Sequence, residues 1–215
     1  MANYKTIGLF GGTFDPVHIG HLRIALELKQ QLNLDEMRLV PCHKPPHREQ
    51  PVASAKHRAA MVMAAIQNCS ELTIETCELE NHDPSYSFKT LKYLRGMLGE
   101  NVSLCLAVGM DSLISLPSWH RWKDILKLAH IVVAARPGFD SPSSGEIGEY
   151  ILEHKKSDSA LIEKTHGSIV IKQLSLLPVS STDIRARLAE NLSPQFLLPD
   201  TVFKYLQEHQ LYKTK

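Results

Sequence analysis

The stretch Gly11-Gly12-Thr13-Phe14-Asp15-Pro16-Val17-His18-Ile19-Gly20-His21 joins a short apolar run, Ile7-Gly8-Leu9-Phe10, to a segment of helical period that begins near Gly20. Two glycines let the backbone pass close to a bulky anion, and a helix N-terminus just beyond them offers free N–H groups. His18 and His21 stand three apart, so one helical turn puts both imidazoles on the same face. Backbone donors, a helix dipole and paired imidazoles converging after a first strand suit a triphosphate. The glycines alone would say only that the chain turns sharply. The two histidines make the turn a candidate site.

Outward from that turn, apolar β-rich runs alternate with segments of helical period. Strands are expected at 6–10, 37–41, 72–79, 102–108, 131–135 and 168–174. Helices are expected at 20–32, 54–68, 85–98 and 121–128, with shorter ones at 183–189 and 199–207. Runs such as Leu104-Cys105-Leu106-Ala107-Val108 are apolar without alternation, which suits strands covered on both faces. The expected fold is α/β: a doubly wound, Rossmann-like parallel sheet with helices on both faces. Ligands in such sheets bind beyond the carboxyl ends of the strands, near a topological switch point. Residues 11–15, 41–47, 109–111 and 136–138 all follow expected strands and should gather at that edge. The loop-like stretch 137–145 and the charged segment after it read as a peripheral insertion near 139–166, within a single domain spanning 1–215.

At 215 residues the chain can bury one large core. Its 43% hydrophobic and 22% charged content belongs to a globular protein rather than a disordered one. Twenty-four basic residues balance 23 acidic ones, with no block of like charge. That balance gives no footprint for nucleic acid or membrane, although a few local cations suffice for a phosphorylated small molecule. No apolar run approaches the ~20 residues of a membrane span, and Met1-Ala2-Asn3-Tyr4-Lys5 has no signal-peptide core. Cys42, Cys69, Cys77 and Cys105 show no paired spacing, so a reducing compartment, the cytoplasm, is expected. A monomer or small homo-oligomer is expected.

Two further stretches face the same edge. Ser180-Ser181-Thr182-Asp183 spells a helix-capping box, and Arg185 on the first turn can meet any anion that the free N–H groups attract. Gly109-Met110-Asp111-Ser112 follows the apolar run 104–108, where Asp111 by itself reads as a helix cap. His18 and His21 could also be half of a zinc site completed by Cys42, His43 and His47. The stiff Pro45-Pro46 between those residues, and the lack of a His-Glu-x-x-His pattern, weigh against it. No Gly-x-Gly-x-x-Gly follows a strand, which disfavours a NAD-dependent dehydrogenase.

His18-Ile19-Gly20-His21 is similar to the His-x-Gly-His core of the nucleotidylyltransferase signature. The fuller stretch 11–21 resembles that of the bacterial nicotinate-nucleotide adenylyltransferases in particular. Ser180-Ser181-Thr182-Asp183-Ile184-Arg185 resembles a second motif of that family, Ser-Ser-Thr-x-Ile-Arg. Both occur once, in the family's order and at opposite ends of one domain, so the resemblance covers nearly the whole chain. It implies adenylyl transfer from ATP to nicotinate mononucleotide, giving deamido-NAD and pyrophosphate in NAD biosynthesis. It implies Mg²⁺ carried by ATP, with no metal site of the protein's own.

By the same resemblance, His18 and His21 sit at the α-phosphate as catalytic residues. Gly11, Gly12, Thr13, Phe14, Gly20, Gly109 and Asp111 then line the ATP site, with Ser181, Thr182 and Arg185 on the β- and γ-phosphates. Nicotinate stacks on Trp119, and its carboxylate meets N–H groups near Ser87 and His120. Tyr86 and Arg136 lie alongside, while Lys44 and His47 reach the acceptor's phosphate.

Such a reaction needs positioning and charge neutralisation more than a strong base, because the attacking phosphate oxygen is already ionised at neutral pH. Rivals with the same chemistry would use nicotinamide mononucleotide or phosphopantetheine as acceptor. Chain length and the Trp119 and Arg136 segments disfavour phosphopantetheine. A non-catalytic nucleotide sensor on this fold had no need to keep both histidines with Arg185.

Overall fold

The computed structural model describes residues 4–45, 50–80, 84–136, 138 and 141–213. Strands β1 (Lys5–Gly12), β2 (Glu36–Pro41), β3 (Thr73–Ile74), β4 (Val102–Gly109), β5 (His130–Ala135) and β6 (Ile169–Gln173) form one sheet, in the order β3-β2-β1-β4-β5-β6. Every neighbouring pair is parallel. Helices α1 (Ile19–Gln31) and α2 (Ala55–Ile66) follow the first two strands, and α3 (Ser87–Leu98) leads into β4. Short helices α4 (Met110–Ile114) and α5 (Trp122–Ile125) precede β5, while α6 (Gly145–His154) and α7 (Ala160–Glu163) precede β6. The chain then runs through α8 (Ser181–Ala189) and α9 (Asp200–Glu208).

Side chains alternate across each strand, and this sheet uses both faces. Ile7, Leu9, Leu104, Leu106, Val108, Ile131 and Val133 pack on one side with Leu91 and Leu94 of α3, Leu113 of α4, Ile125 of α5 and Ile151 of α6. Phe10, Cys105, Ala107, Val132 and Ala134 face the other side. There they meet Leu28 of α1, Met61 and Val62 of α2, Ile184 of α8, and Val202 and Leu206 of α9. Coverage of both faces is why the central strands read as unbroken apolar runs. The fold is the doubly wound α/β arrangement expected from the sequence. The strand order reverses between β1 and β4, so a crevice opens beyond their carboxyl ends.

Several boundaries differ from expectation for local reasons. The strand expected at 72–79 pairs regularly only at Thr73–Ile74. Glu75 N–H still reaches the Leu39 carbonyl, but the Glu75 carboxylate then accepts Cys77 N–H at 3.2 Å and Arg38 Nη1 at 3.1 Å. Those side-chain bonds give the chain an alternative to the ladder, and it leaves the sheet. The helix expected at 121–128 is the single turn α5, and a turn of helix, α4, stands where Asp111 read as a mere cap. Helices α2 and α8 start at true caps: Ser54 Oγ accepts His57 N–H at 3.3 Å, and Ser180 Oγ accepts Asp183 N–H at 3.0 Å. Within 139–166, α6 and α7 carry the crossover from β5 to β6 and bury Ile151 and Leu161 in the core.

At the opposite edge of the sheet from the crevice, buried Arg95 of α3 donates to the carbonyls of Gly99, Val102, Leu128 and Thr165. Beside it, His130 is wholly buried and fixed as a neutral tautomer. Its Nδ1 accepts Ser168 N–H at 3.1 Å and its Nε2 donates to the Lys164 carbonyl at 3.0 Å. This edge is structural.

Candidate active site

Strand register brings the candidate loops together. Gly12 lies opposite Pro41, Phe10 opposite Ala107, and Gly109 opposite Ala134, so the loops after β1, β2, β4 and β5 share the carboxyl edge. Gly11 is exposed, and among the described residues no atom beyond its chain neighbours lies within 4 Å of where a Cβ would sit, so none of them bars a ligand from its backbone. Gly12 has a different reason. A Cβ there would stand 2.7 Å from the Phe14 ring. Phe14 is buried, with a φ of 51°, and its ring stacks edge-on against His21 at 5.1 Å. Its side chain belongs to the core, and the residue as a whole is buried. Gly109 similarly lets the Asp111 carboxylate curl back, since a Cβ would meet Asp111 Oδ1 at 2.6 Å.

His18 is the N-cap of α1 and His21 its third residue. The rings stack with centroids 3.7 Å apart and planes 25° from parallel. His18 N–H donates to His21 Nδ1 at 3.3 Å, which places the His21 proton on Nε2. Gly20 makes room for this pair, as a Cβ would lie 3.0 Å from His18 Nδ1. That nitrogen is buried and has no hydrogen-bond partner among the described residues. Burial pulls the His18 pKa down to about 4, so the imidazole is neutral at pH 7. A neutral ring also stacks on its neighbour without charge repulsion.

These histidines make a pH prediction. Burial holds His18 and His130 near pKa 4, against 6.5 for the ordinary imidazole. Between those values the unfolded chain binds two protons that the folded one does not. Stability is therefore complete above pH 6.5 and falls as the pH drops toward 4, by about 1.4 kcal/mol per pH unit and histidine. Urea midpoints measured from pH 7 to 5 should fall accordingly, and His130→Asn should roughly halve the slope. Midpoints that stay level across this window in the wild type would contradict the buried neutral state.

The N-terminus of α8 lies against the β1–α1 loop. Ser181 Oγ donates to the Pro16 carbonyl at 2.9 Å, and Arg185 Nη1 to the Asp15 carbonyl at 2.7 Å. Arg185 Nη2 stands 3.4 Å from Thr182 Oγ1, on the exposed side. Both family motifs, 164 residues apart at His21 and Arg185, thus meet at one loop. Ser181 and one nitrogen of Arg185 hold that loop, while Thr182 and the outer side of the guanidinium face solvent.

Among the acceptor candidates, Ser85 is the organiser. Its Oγ accepts His43 N–H at 2.9 Å and its N–H donates to the Lys44 carbonyl at 3.0 Å, which joins the loop after β2 to the start of α3. Tyr86, the N-cap of α3, packs its ring 4.7 Å from that of His120, and Ser87 opens the helix. Arg121 lies over Phe88 at 4.1 Å and braces the same turn. Trp119 is half-buried against the core cluster of α3 to α6, next to exposed His120. Arg136 is exposed just after β5, on the same edge. His47 lies outside the described residues.

Three residues at the site escaped the sequence reading. Arg58 is 1% exposed, and its guanidinium donates to the carbonyls of Thr13 (2.7 Å), His43 (2.9 Å) and Ala53 (3.2 Å). It ties the loop after β1 to that after β2. Its sequence signal was a cation three and four residues before Met61 and Val62, on the buried face of an otherwise apolar helix. Glu78 lies mostly buried, which pushes its carboxyl up, and accepts Thr90 Oγ1 at 2.6 Å behind Ser85. Tyr212 reaches Asp15 from the far end of the chain, at 2.6 Å.

Comparison with known proteins identifies the family and supports the fold. Residues 9–187 match the cytidylyltransferase-like family. A Cellvibrio japonicus relative, named a probable nicotinate-nucleotide adenylyltransferase, is 49% identical over 208 residues, covering 97% of this chain and 99% of that one. A relative of the same name from Pseudomonas aeruginosa is 43% identical over 209 residues, covering 97% and 98%. Among solved structures, the Plasmodium falciparum nicotinic acid mononucleotide adenylyltransferase complexed with NaAD superposes with a TM-score of 0.71. That match covers 97% of this chain and 98% of the other at 19% identity, and so speaks for the fold. With identity this high along almost its full length, the chain belongs to the cytidylyltransferase-like family and, within it, to the nicotinate-nucleotide adenylyltransferases.

Proposed function

We propose that the protein transfers the adenylyl group of ATP to nicotinate mononucleotide, giving deamido-NAD and pyrophosphate, as one nucleotidyltransferase domain in the cytoplasm. The observation that carries this reading is the stacked His18–His21 pair at the N-terminus of α1, with the N-terminus of α8 docked on the same loop at the switch point. A phosphate oxygen of the acceptor bonds to the α-phosphorus of ATP. The bond from that phosphorus to the bridging oxygen breaks, and its electron pair leaves with pyrophosphate. No general base is required.

The residues supply what remains, which is alignment and charge neutralisation. His21, its proton fixed on Nε2 by the bond to His18 N–H, serves as a preorganised donor to the α-phosphate. His18 is neutral in the free protein, and a polyanion arriving beside it favours its protonation. Open Gly11 and the α1 N-terminus receive the phosphate backbone side-on. Thr182 and Arg185 serve the β- and γ-phosphates at the exposed end of α8. Tyr86, Ser87, Trp119 and His120 flank the pyridine ring, with Lys44 and Arg136 beyond them. Mg²⁺ entering with ATP, its ligands chiefly phosphates and water, would supply further neutralisation of charge on the triphosphate.

Product analysis tests the reaction: one dinucleotide should form for each pyrophosphate released from ATP and nicotinate mononucleotide. Hydrolysis of ATP without a dinucleotide would refute it. For the α8 assignment, Arg185→Ala should raise the KM for ATP by about tenfold or more, the scale for losing a charge-assisted contact to phosphate, with little change for the acceptor. An unchanged KM for ATP would remove Arg185 from the triphosphate site.

A further inference from the structure

Asp15 is where four segments of the chain meet. Its side chain is buried: Oδ2 accepts Val52 N–H at 2.8 Å, while Oδ1 accepts Ala53 N–H at 3.1 Å and the Tyr212 hydroxyl at 2.6 Å. Arg185 donates to the Asp15 carbonyl at 2.7 Å, and its Nη1 stands only 3.9 Å from Asp15 Oδ2. One guanidinium thus lies within reach of both the carbonyl and the carboxylate of the same residue. Tyr212 comes from the segment after α9, and its chain is held in an unusual shape to get there. Gln210 and Tyr212 have φ values of 50° and 63°, and Phe14, beside Asp15, has 51°. Non-glycine residues rarely adopt this conformation, and it persists where surrounding contacts over-determine it.

We propose that Tyr212 is a positioning residue for the triphosphate end of the site. Its hydroxyl, with the two backbone donors, satisfies the Asp15 carboxylate, so Arg185 stays docked on the Asp15 carbonyl with its outer N–H groups turned toward the nucleotide. Without that hydroxyl Oδ1 loses a donor, and the less neutralised carboxylate draws more strongly on the guanidinium that stands 3.9 Å from Oδ2. The segment after α9 therefore latches the β1–α1 loop, which also carries His18. The identity of the ligand rests on the adenylyltransferase reading.

Tyr212→Phe keeps the ring and removes the hydroxyl. It should weaken the binding of a non-hydrolysable ATP analogue by about tenfold, within the range seen when a remote change misplaces a reacting group. The KM for ATP should rise in step, while affinity for nicotinate mononucleotide stays within about twofold. In a double-mutant cycle, Tyr212→Phe should add nothing to Arg185→Ala, because both act through the same guanidinium. Unchanged analogue affinity, equal loss for both nucleotides, or additive losses would each overturn the latch. Wild-type turnover is read separately. Failure to form the dinucleotide, with analogue affinity still dependent on Tyr212, would sink the reaction and keep the latch.

Discussion

Replacing His21 with alanine is expected to lower kcat by about 10²-fold or more, the scale for removing one preorganised donor from a developing oxyanion. Two features of the molecule set that expectation. The ring is held by Phe14 at 5.1 Å, by the His18 stack at 3.7 Å and by the bond from His18 N–H. Its proton is thereby fixed on Nε2 before any substrate arrives, so no reorganisation accompanies the reaction. The loss should appear in kcat and in kcat/KM for both substrates, as for an interaction made mainly in the transition state. The variant should remain folded, since His21 is only part-buried and α1 keeps the rest of its packing against the core. A folded His21→Ala protein with nearly normal kcat would contradict the role.

Arg58→Met should produce the largest loss of stability. The guanidinium is the partner of three carbonyls from three different segments, and methionine fills much of the space without donating. Stranding buried acceptors costs about 1–3 kcal/mol each, and partial relaxation makes about 3–5 kcal/mol the expected total. At this chain length that lowers the melting temperature by roughly 10 °C. Because Arg58 ties the loop of Thr13, assigned here to ATP, to the loop after β2, whose Lys44 is assigned to the acceptor, both KM values should rise in the surviving folded protein. A melting temperature within a degree or two of wild type would show that water or other groups replace the guanidinium without loss.

The sequence exposed the parts of this molecule that depend on short-range pattern. Ile7-Gly8-Leu9-Phe10 followed by two glycines and a helical period placed β1, the turn and α1 correctly, and unbroken apolar runs at 104–108 and 131–135 signalled central strands. The capping box at Ser180 located α8 to within two residues. Contacts that depend on backbone shape or on distant partners left no such mark. Gly12 read as an anion-binding glycine, yet its lack of a side chain first accommodates the Phe14 ring, which only the positive φ of Phe14 brings there. The Asp15–Tyr212 bond spans 197 residues and relies on two further residues with positive φ. Glu75 shortened β3 through side-chain bonds that propensity does not encode. Arg58 was readable in principle, as a charge on the buried face of α2, but an isolated arginine in a helix more often lies on the solvated face.

The most direct test of the account is pyrophosphate release from ATP and Mg²⁺, with nicotinate mononucleotide and nicotinamide mononucleotide supplied in separate reactions. The account predicts fast release with the acid and little with the amide, because Ser87 and His120 are assigned to the acceptor's carboxylate. Equal or faster release with the amide would leave His18, His21 and Arg185 in their roles but contradict the assignment of Ser87, Trp119 and His120. Absence of release with either acceptor would contradict the central claim.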